Sequence, residues 1–295
     1  MLPSGTYNVS YRQDMAIVRT RLQWVLLILG LIALFIVPRF STGYGLSILN
    51  GMGIMLISVH GLNLLTGYTG QISLGQAGFM AVGAYSSALL VDRAGVPFLL
   101  ALPLSGLIAG LVGLLFGLPS VRIKGFYLAM ATLAAQFIIP WVIVHVRSDL
   151  TGGSSGIVVS SASIGEVVLK SQESMYYLVM VVAVLMTWMA KNLARTHTGR
   201  AFVAIRDNDI AAESMGINLF AYKLLAFFIC SFYAGIAGSL WAHWMRAINP
   251  DHFTLMDSIW YVGMVIVGGM GSTAGAVFGP VSLRLLREVV MTISP

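Results

Sequence analysis

The run FLLALPLSGLIAGLVGLLFGL, Phe98–Leu118, decides the fold. It holds no charged residue, and 21 helical residues at about 1.5 Å each cover roughly the 30 Å of a bilayer's hydrocarbon core. Gly106/Gly110 and Gly113/Gly117 recur within it at four-residue spacing, which lets helices approach closely in lipid, as do Gly271/Gly275/Gly279 further on. Seven more runs have the same character: Leu22–Val37, Gly45–Leu65, Gly75–Val91, Phe126–Val146, Met175–Ala190, Leu224–Trp244 and Ser258–Phe278. Composition agrees, because 58% of the 295 residues are hydrophobic and only 9% charged, against about 25% charged in soluble domains. The expected fold is an all-α integral membrane protein of about eight transmembrane helices forming a single domain over residues 1–295. The run nearest the C-terminus is interrupted by glycines at 268–275, which predicts either a kinked helix or a broken, re-entrant pair.

Lys and Arg collect in cytoplasmic loops. With a cytoplasmic N-terminus, the inside segments hold Arg12, Arg19, Arg21, Arg122, Lys124, Lys191, Arg195, Arg200, Arg206, Lys223, Arg284 and Arg287, while the outside ones hold Arg39, Arg93, Arg147, Lys170 and Arg246. Twelve against five favours that orientation. It makes 1–21 a cytoplasmic segment, 147–174 a periplasmic loop and 191–223 a cytoplasmic loop. The N-terminal Arg residues before an apolar run imitate a secretory signal, but no small-residue cleavage site follows before Pro38, so an uncleaved first helix is expected. The net charge of +6 is spread between apolar runs instead of forming one patch, which argues against a nucleic-acid partner. The single cysteine, Cys230, excludes an intramolecular disulfide or a cysteine metal cluster.

The cytoplasmic loop contains TGRAFVAIRDNDIAAESMGIN, Thr198–Asn218. Asp207, Asn208 or Asp209 can cap a helix of roughly two turns, and Gly216 can end it in the left-handed conformation. Such a helix offers Ile210, Ala211, Ala212 and Met215 on a polar loop. It suits a knob for another protein's cleft, or equally an amphipathic helix resting on lipid headgroups. A second stretch, GLNLLTGYTGQISLGQAGF at Gly61–Phe79, has glycines spaced like a phosphate-binding loop, but Gln76-Ala77 stands where Lys-Ser/Thr is required. ATP binding by this chain is therefore not expected. Gly67, Gly70, Gly75 and Gly78 permit bends or close approach. Gln71, Ser73 and Gln76 place polar groups at membrane depth, where only protein or a water-filled cavity tolerates them.

With LTGGSSGI at Leu150–Ile157 and KLLAF at Lys223–Phe227, these stretches give four motifs in order across most of Asn50–Pro280. Together they resemble the permease subunits of bacterial branched-chain amino acid ABC importers. The resemblance implies coupling to ATPase subunits through Arg206, Asp207, Asp209, Ala211, Ala212, Glu213 and Gly216. It also implies a second homologous permease, two ATP-binding cassette subunits, a periplasmic solute-binding protein near Ser148–Ser174, and residence in the bacterial inner membrane. No cofactor is expected, ATP being used by the partner subunits. The cargo implied is Leu, Ile or Val, with urea or short amides as the alternative, and an ATP-independent channel is the alternative of a different class. Family members generally continue with another apolar segment beyond the glycine-rich break, whereas this chain ends at Pro295, so a truncated final helix is expected.

Intramembrane polar residues are costly and often functional. Asn63, Gln71, Ser73, Gln76 and Gln136 are the candidate pathway residues; His60 and His145 are weighed with them, and His60, near the middle of its span, is expected to find a partner on a neighbouring helix. No His-Glu-x-x-His pattern or carboxylate pair occurs within a span, and every Asp and Glu falls at a span end or in a loop. That argues against membrane enzymology and against proton or sodium coupling. The loop at 148–174, opened by Gly152, Gly153 and Gly156, reads as a docking surface or as a flexible connector.

Overall fold

The computed structural model describes residues 21–121, 125–146, 148–165, 167–169 and 171–293. The expectations for the first 20 residues and for Arg122, Lys124, Arg147 and Lys170 lie outside these. The chain is an all-α multi-pass membrane protein. Its helices are α1 (Arg21–Phe40), α2 (Gly43–Leu62), α3 (Gln76–Asp92), α4 (Phe98–Gly117), α5 (Phe126–His145), α6 (Ser148–Thr151), α7 (Gln172–Arg195), α8 (His197–Asp207), α9 (Asp209–Ser214), α10 (Leu219–Met245), α11 (Leu255–Gly268) and α12 (Thr273–Ile293). Among the described residues, five segments are long and apolar enough to cross a bilayer: Gly43–Tyr68, Phe98–Gly117, Tyr127–His145, Gln172–Arg195 and Leu219–Met245.

The bundle is sorted by residue size. α4 turns Ser105, Gly106, Ala109, Gly110, Gly113 and Gly117 inward, and leaves Leu100, Leu104, Leu107, Leu111 and Leu115 exposed. Lipid tails are as apolar as leucine, so helices associate there through close packing of small residues. The partner face belongs to α10, whose Phe227, Phe228, Ser231 and Phe232 fill the space that the α4 glycines leave. α10 is the central helix, packed on α4, α3 and α2. α3 is the most enclosed, burying residues on every side, among them Gln76, Phe79, Tyr85 and Ser87.

Polar groups inside the bundle are satisfied across helices. His243 Nδ1 lies 2.8 Å from the Ser160 carbonyl, so it carries the proton, and Nε2 accepts from Ser87 at 3.0 Å. Ser239 donates to Ser87 in turn at 2.7 Å. His60 meets Thr187 at 2.9 Å and His145 meets the Trp141 carbonyl at 3.0 Å on its own helix. His60 thus has the neighbour expected for a buried histidine, whereas His145 is exposed and partnered within α5.

The choice left open at the glycine-rich break is decided, and the placement of Arg284 and Arg287 is corrected. The run Ser258–Phe278 is not one helix, because α11 ends at Gly268 and the chain reverses through Gly269 (φ +103) and Gly271 (φ +75) into α12. The hairpin closes tightly enough that a Cβ on Gly268 would overlap Gly275, and one on Gly279 would overlap Met264. A further helix therefore does follow the glycine-rich break. The reversal also moves Arg284 and Arg287: they line a recess with Met55 and Tyr261, and Tyr44 at the start of α2 donates to Glu288 at 2.7 Å. They lie along α2 from Met55 toward Tyr44, away from its Arg206 end, so they do not share the side of the bundle on which Arg206 sits. Arg284, Arg287 and Glu288 lie within a helix, not in a loop.

The segment 148–171 is not a free connector. Strand β1 (Ile157–Val158) pairs antiparallel with β4 (Ala247–Ile248), β2 (Ser163–Ile164) pairs with β3 (Val167–Val168), and Val159 N–H donates to the Arg246 carbonyl at 2.8 Å. The segment is thereby strapped to the α10–α11 connection.

Candidate coupling and translocation site

α9 begins at Asn208, whose side-chain oxygen accepts the Ala211 N–H at 3.1 Å, with Asp209 in the first turn where the helix dipole favours an anion. It ends at Gly216, φ +83, closed by Gly216 N–H to Glu213 and Ile217 N–H to Ala212. The helix has six residues, close to the two turns expected, and Ile210, Ala211, Glu213 and Ser214, with Met215 just after it, are exposed. Ala212 departs from expectation: it is buried, because α9 rests on that side against the start of α10. Lys223, read only as a charge in a motif, holds this arrangement. Its side chain is 6% exposed and its Nζ lies 3.7 Å from Asp209 Oδ2.

Arg206, at the end of α8, reaches back into the bundle. Its Nη1 donates to the Gly67 carbonyl at 3.0 Å, its aliphatic stem covers Gly70, and its Nε and Nη2 hold Asp207 at 3.0 Å. Gly67 lies in a π-helical turn, Asn63–Tyr68, that ends α2. Such turns are uncommon and often mark functional positions. Asn63 in the same turn grips the hairpin: Nδ2 donates to the Ser272 carbonyl at 3.0 Å and Oδ1 accepts the Gly271 N–H at 2.9 Å. Gly67 is needed there, since a Cβ would overlap both Gly271 N and Asn63 Oδ1. The loop that carries α8 and α9, the end of α2 and the α11–α12 reversal thus meet at one node.

The other sequence candidates separate. Gln76 Nε2 donates to Ser58, and Gln76 Oε1 accepts from Cys230 at 3.2 Å. Gln136 Oε1 accepts the Gly78 N–H at 2.8 Å and the Ser258 hydroxyl at 2.9 Å, while its Nε2 donates to the Phe253 carbonyl. Ser73 is buried, with its hydroxyl oxygen 3.4 Å from Gly75 N. Gln76 and Gln136 join helices, whereas the Ser73 contact stays within its own turn. Gln71 differs: it is 6% exposed, both amide atoms lack a partner, and it lines a cleft of about 370 Å³ with Arg206, Asp207, Asn208, Asp209 and Lys223. Sequence reading put Gln71 among pathway residues and Arg206 among coupling residues, whereas the fold puts them in one cleft.

Residues 44–294 match the family model described as branched-chain amino acid transport system / permease component. The chain belongs to this permease family. It is 32% identical over 254 residues to the high-affinity branched-chain amino acid transport system permease protein LivM of Salmonella typhimurium, covering 78% of this chain and 60% of that protein. It is 25% identical over 279 residues to the probable branched-chain amino acid transport permease protein LivM of Methanocaldococcus jannaschii, covering 82% of this chain and 80% of the relative. The autoinducer 2 import system permease protein LsrC of Yersinia pestis is 26% identical over 49% of this chain. The permease chain spans about 60% of the length of its enterobacterial LivM relatives, and no solved structure matches it. Among the described residues, no group of three or more His, Cys, Asp or Glu could hold a metal ion.

Proposed function

We propose that this chain is the membrane-spanning permease subunit of an ATP-binding-cassette importer carrying leucine, isoleucine and valine from periplasm to cytoplasm. α1, α3 and the α11–α12 hairpin complete a bundle of about eight spans in the inner membrane, with the N-terminus cytoplasmic. A second, homologous permease faces it across the pathway. Two ATPase subunits bind below and supply the hydrolysis, and a periplasmic binding protein docks on the strapped 148–171 segment.

The observation that carries this reading is the node at Arg206. α9 offers Ile210, Ala211 and Met215 to a partner's groove, as an ATPase contact requires, and it follows Arg206 by only a few residues. Movement of α8–α9 is passed by the Arg206–Gly67 bond to the π turn, and from there by Asn63 to the α11–α12 reversal. A lipid-resting helix needs no such connection to the core.

The test is reconstitution of the complete importer in proteoliposomes. Leucine uptake is expected only with ATP, the ATPase subunits and the binding protein all present, and Ala211→Arg is expected to abolish it by blocking the groove. Uptake by this chain alone, without ATP, contradicts the proposal and favours a channel.

A further inference from the structure

A second cavity, of about 250 Å³, lies away from the coupling node, between α2, α3, α10, α11 and α12. It is smaller than the roughly 300–1,000 Å³ of sites for drug-sized ligands, which suits a single amino acid. Its chemistry is two-ended. Ile54, Met80, Trp241 and Phe253 line one part, while Asp257, Arg284, Met55 and Tyr261 line both this cavity and the adjoining recess, which places the two charges together at their junction.

Both charged side chains retain unused capacity. Asp257 Oδ2 accepts from Thr254 N and from its hydroxyl at 3.0 and 2.6 Å, while Oδ1 accepts nothing among the described residues. Arg284 Nη2 pairs with Glu288 Oε1 at 3.2 Å, but its Nε is buried without a partner. A guanidinium has five donors, so it can serve Glu288 and a second carboxylate together. An arginine and an aspartate at membrane depth are expensive and mark a substrate path by default.

The backbone adds to this. Ala77 at the start of α3 donates its N–H to the Ser258 hydroxyl in the first turn of α11 at 2.9 Å, so two helices begin side by side at one level of the bundle. Ala77, Phe253 and Asp257 all line the cavity, and the positive ends of both dipoles lie next to it. Discontinuous helices ending at a cavity are how membrane proteins tolerate irregular backbone and charge at depth.

We propose that this cavity binds the transported amino acid on its way through the permease. Arg284 takes the α-carboxylate, Asp257 the α-ammonium, and Ile54, Met80, Trp241 and Phe253 receive the aliphatic side chain. The site rests on the importer reading above and adds to it a recognition step within the membrane, separate from that of the binding protein.

The experiment is leucine uptake per ATP hydrolysed in proteoliposomes holding the complete importer, for the unaltered protein and for D257N, R284Q and R284K. D257N keeps an oxygen for the Thr254 cap and R284K keeps the charge, so both remain informative if R284Q fails to assemble. D257N and R284Q are expected to move at least about tenfold less leucine per ATP, equivalent to the loss of about 1.4 kcal/mol of recognition, with R284K intermediate and binding-protein-stimulated hydrolysis retained. Leucine per ATP within about twofold of the unaltered importer in both D257N and R284Q, or in D257N and R284K if R284Q fails to assemble, overturns the site and leaves the importer reading intact. Absence of leucine uptake by an unaltered complex that hydrolyses ATP overturns the cargo reading, and this site with it.

Discussion

Arg206 Nη1 donates to the Gly67 carbonyl oxygen at 3.0 Å, joining the last turn of α8 to the π turn that ends α2. The two residues are 139 positions apart, so the bond ties the loop carrying α8 and α9 to the first half of the bundle. Hydrogen bonds to a charged group are worth about 1.5–3 kcal/mol. This one replaces the lost regularity of the helix, because a π turn leaves its carbonyls off the usual i→i+4 ladder. Removing it frees the loop to move without moving α2.

On the importer reading proposed above, Arg206→Ala is therefore expected to uncouple transport from ATP hydrolysis in the assembled complex. Leucine uptake falls by about tenfold or more, as the loss of a charge-assisted bond implies, while ATP hydrolysis persists. Arg206→Lys restores only part, since a point charge cannot hold Asp207 and Gly67 together. Parallel uptake and phosphate-release assays check this, and equal losses in both count against it.

Asn63→Ala leaves the Gly271 N–H and the Ser272 carbonyl without their side-chain partner at the hairpin reversal. A buried polar group stripped of its partner costs about 1–3 kcal/mol. The purified protein is expected to unfold at lower temperature in detergent. Asn63→Asp, which keeps the acceptor for Gly271 but loses the donor for Ser272, is expected to fall between. A melting curve unchanged in both denies the clamp.

The spans were legible in the sequence because lipid imposes length and polarity together, so Phe98–Leu118 and Leu224–Trp244 could be read directly. The hairpin was not, since Gly268–Gly275 satisfies both a kink and a reversal, and only packing of Gly268 on Gly275 decides between them. The same ambiguity misplaced Arg284, whose side follows from the reversal. At the coupling loop, the caps at Asn208 and Gly216 follow local rules and were readable. Burial of Ala212 was not, because it depends on how α9 packs on α8 and the start of α10, which local spacing does not encode. Asn63, Gln76 and Gln136 were picked out as polar groups at depth. Their actual role as joints between helices depends on partners far away in the chain.

The topology can be tested by cysteine labelling without background, because Cys230 is the sole cysteine and is fully buried. Ile210→Cys and Met215→Cys occupy exposed positions on α9, and Val158→Cys sits 85% exposed on β1. An impermeant thiol reagent applied to intact spheroplasts is expected to label Val158→Cys only. The two α9 positions react once the membrane is opened. Labelling of α9 from outside reverses the orientation and removes the ATPase contact with it.

A main-chain contact between two helices gives a further stability prediction. A Cβ on Gly83 would overlap the Gly235 backbone, and one on Gly238 would overlap the Met80 carbonyl, so α3 and α10 touch main chain to main chain. Gly83→Ala must push α3 off α10, and overpacking of this kind costs about 1–3 kcal/mol. Gly263→Ala is the matched control: it also lies in a helix, but a Cβ there meets nothing within 4 Å. That substitution removes backbone freedom from the unfolded chain and is expected to be neutral or to stabilise by up to about 1 kcal/mol. Thermal unfolding of the two variants should therefore shift in opposite directions or differ by several degrees. Because Ala77 and Met80 of α3 also line the cavity of about 250 Å³, the Gly83 variant is expected, on the importer reading proposed above, to lose leucine uptake along with stability, and equal melting of the two variants would show that α3 and α10 are not in contact as described.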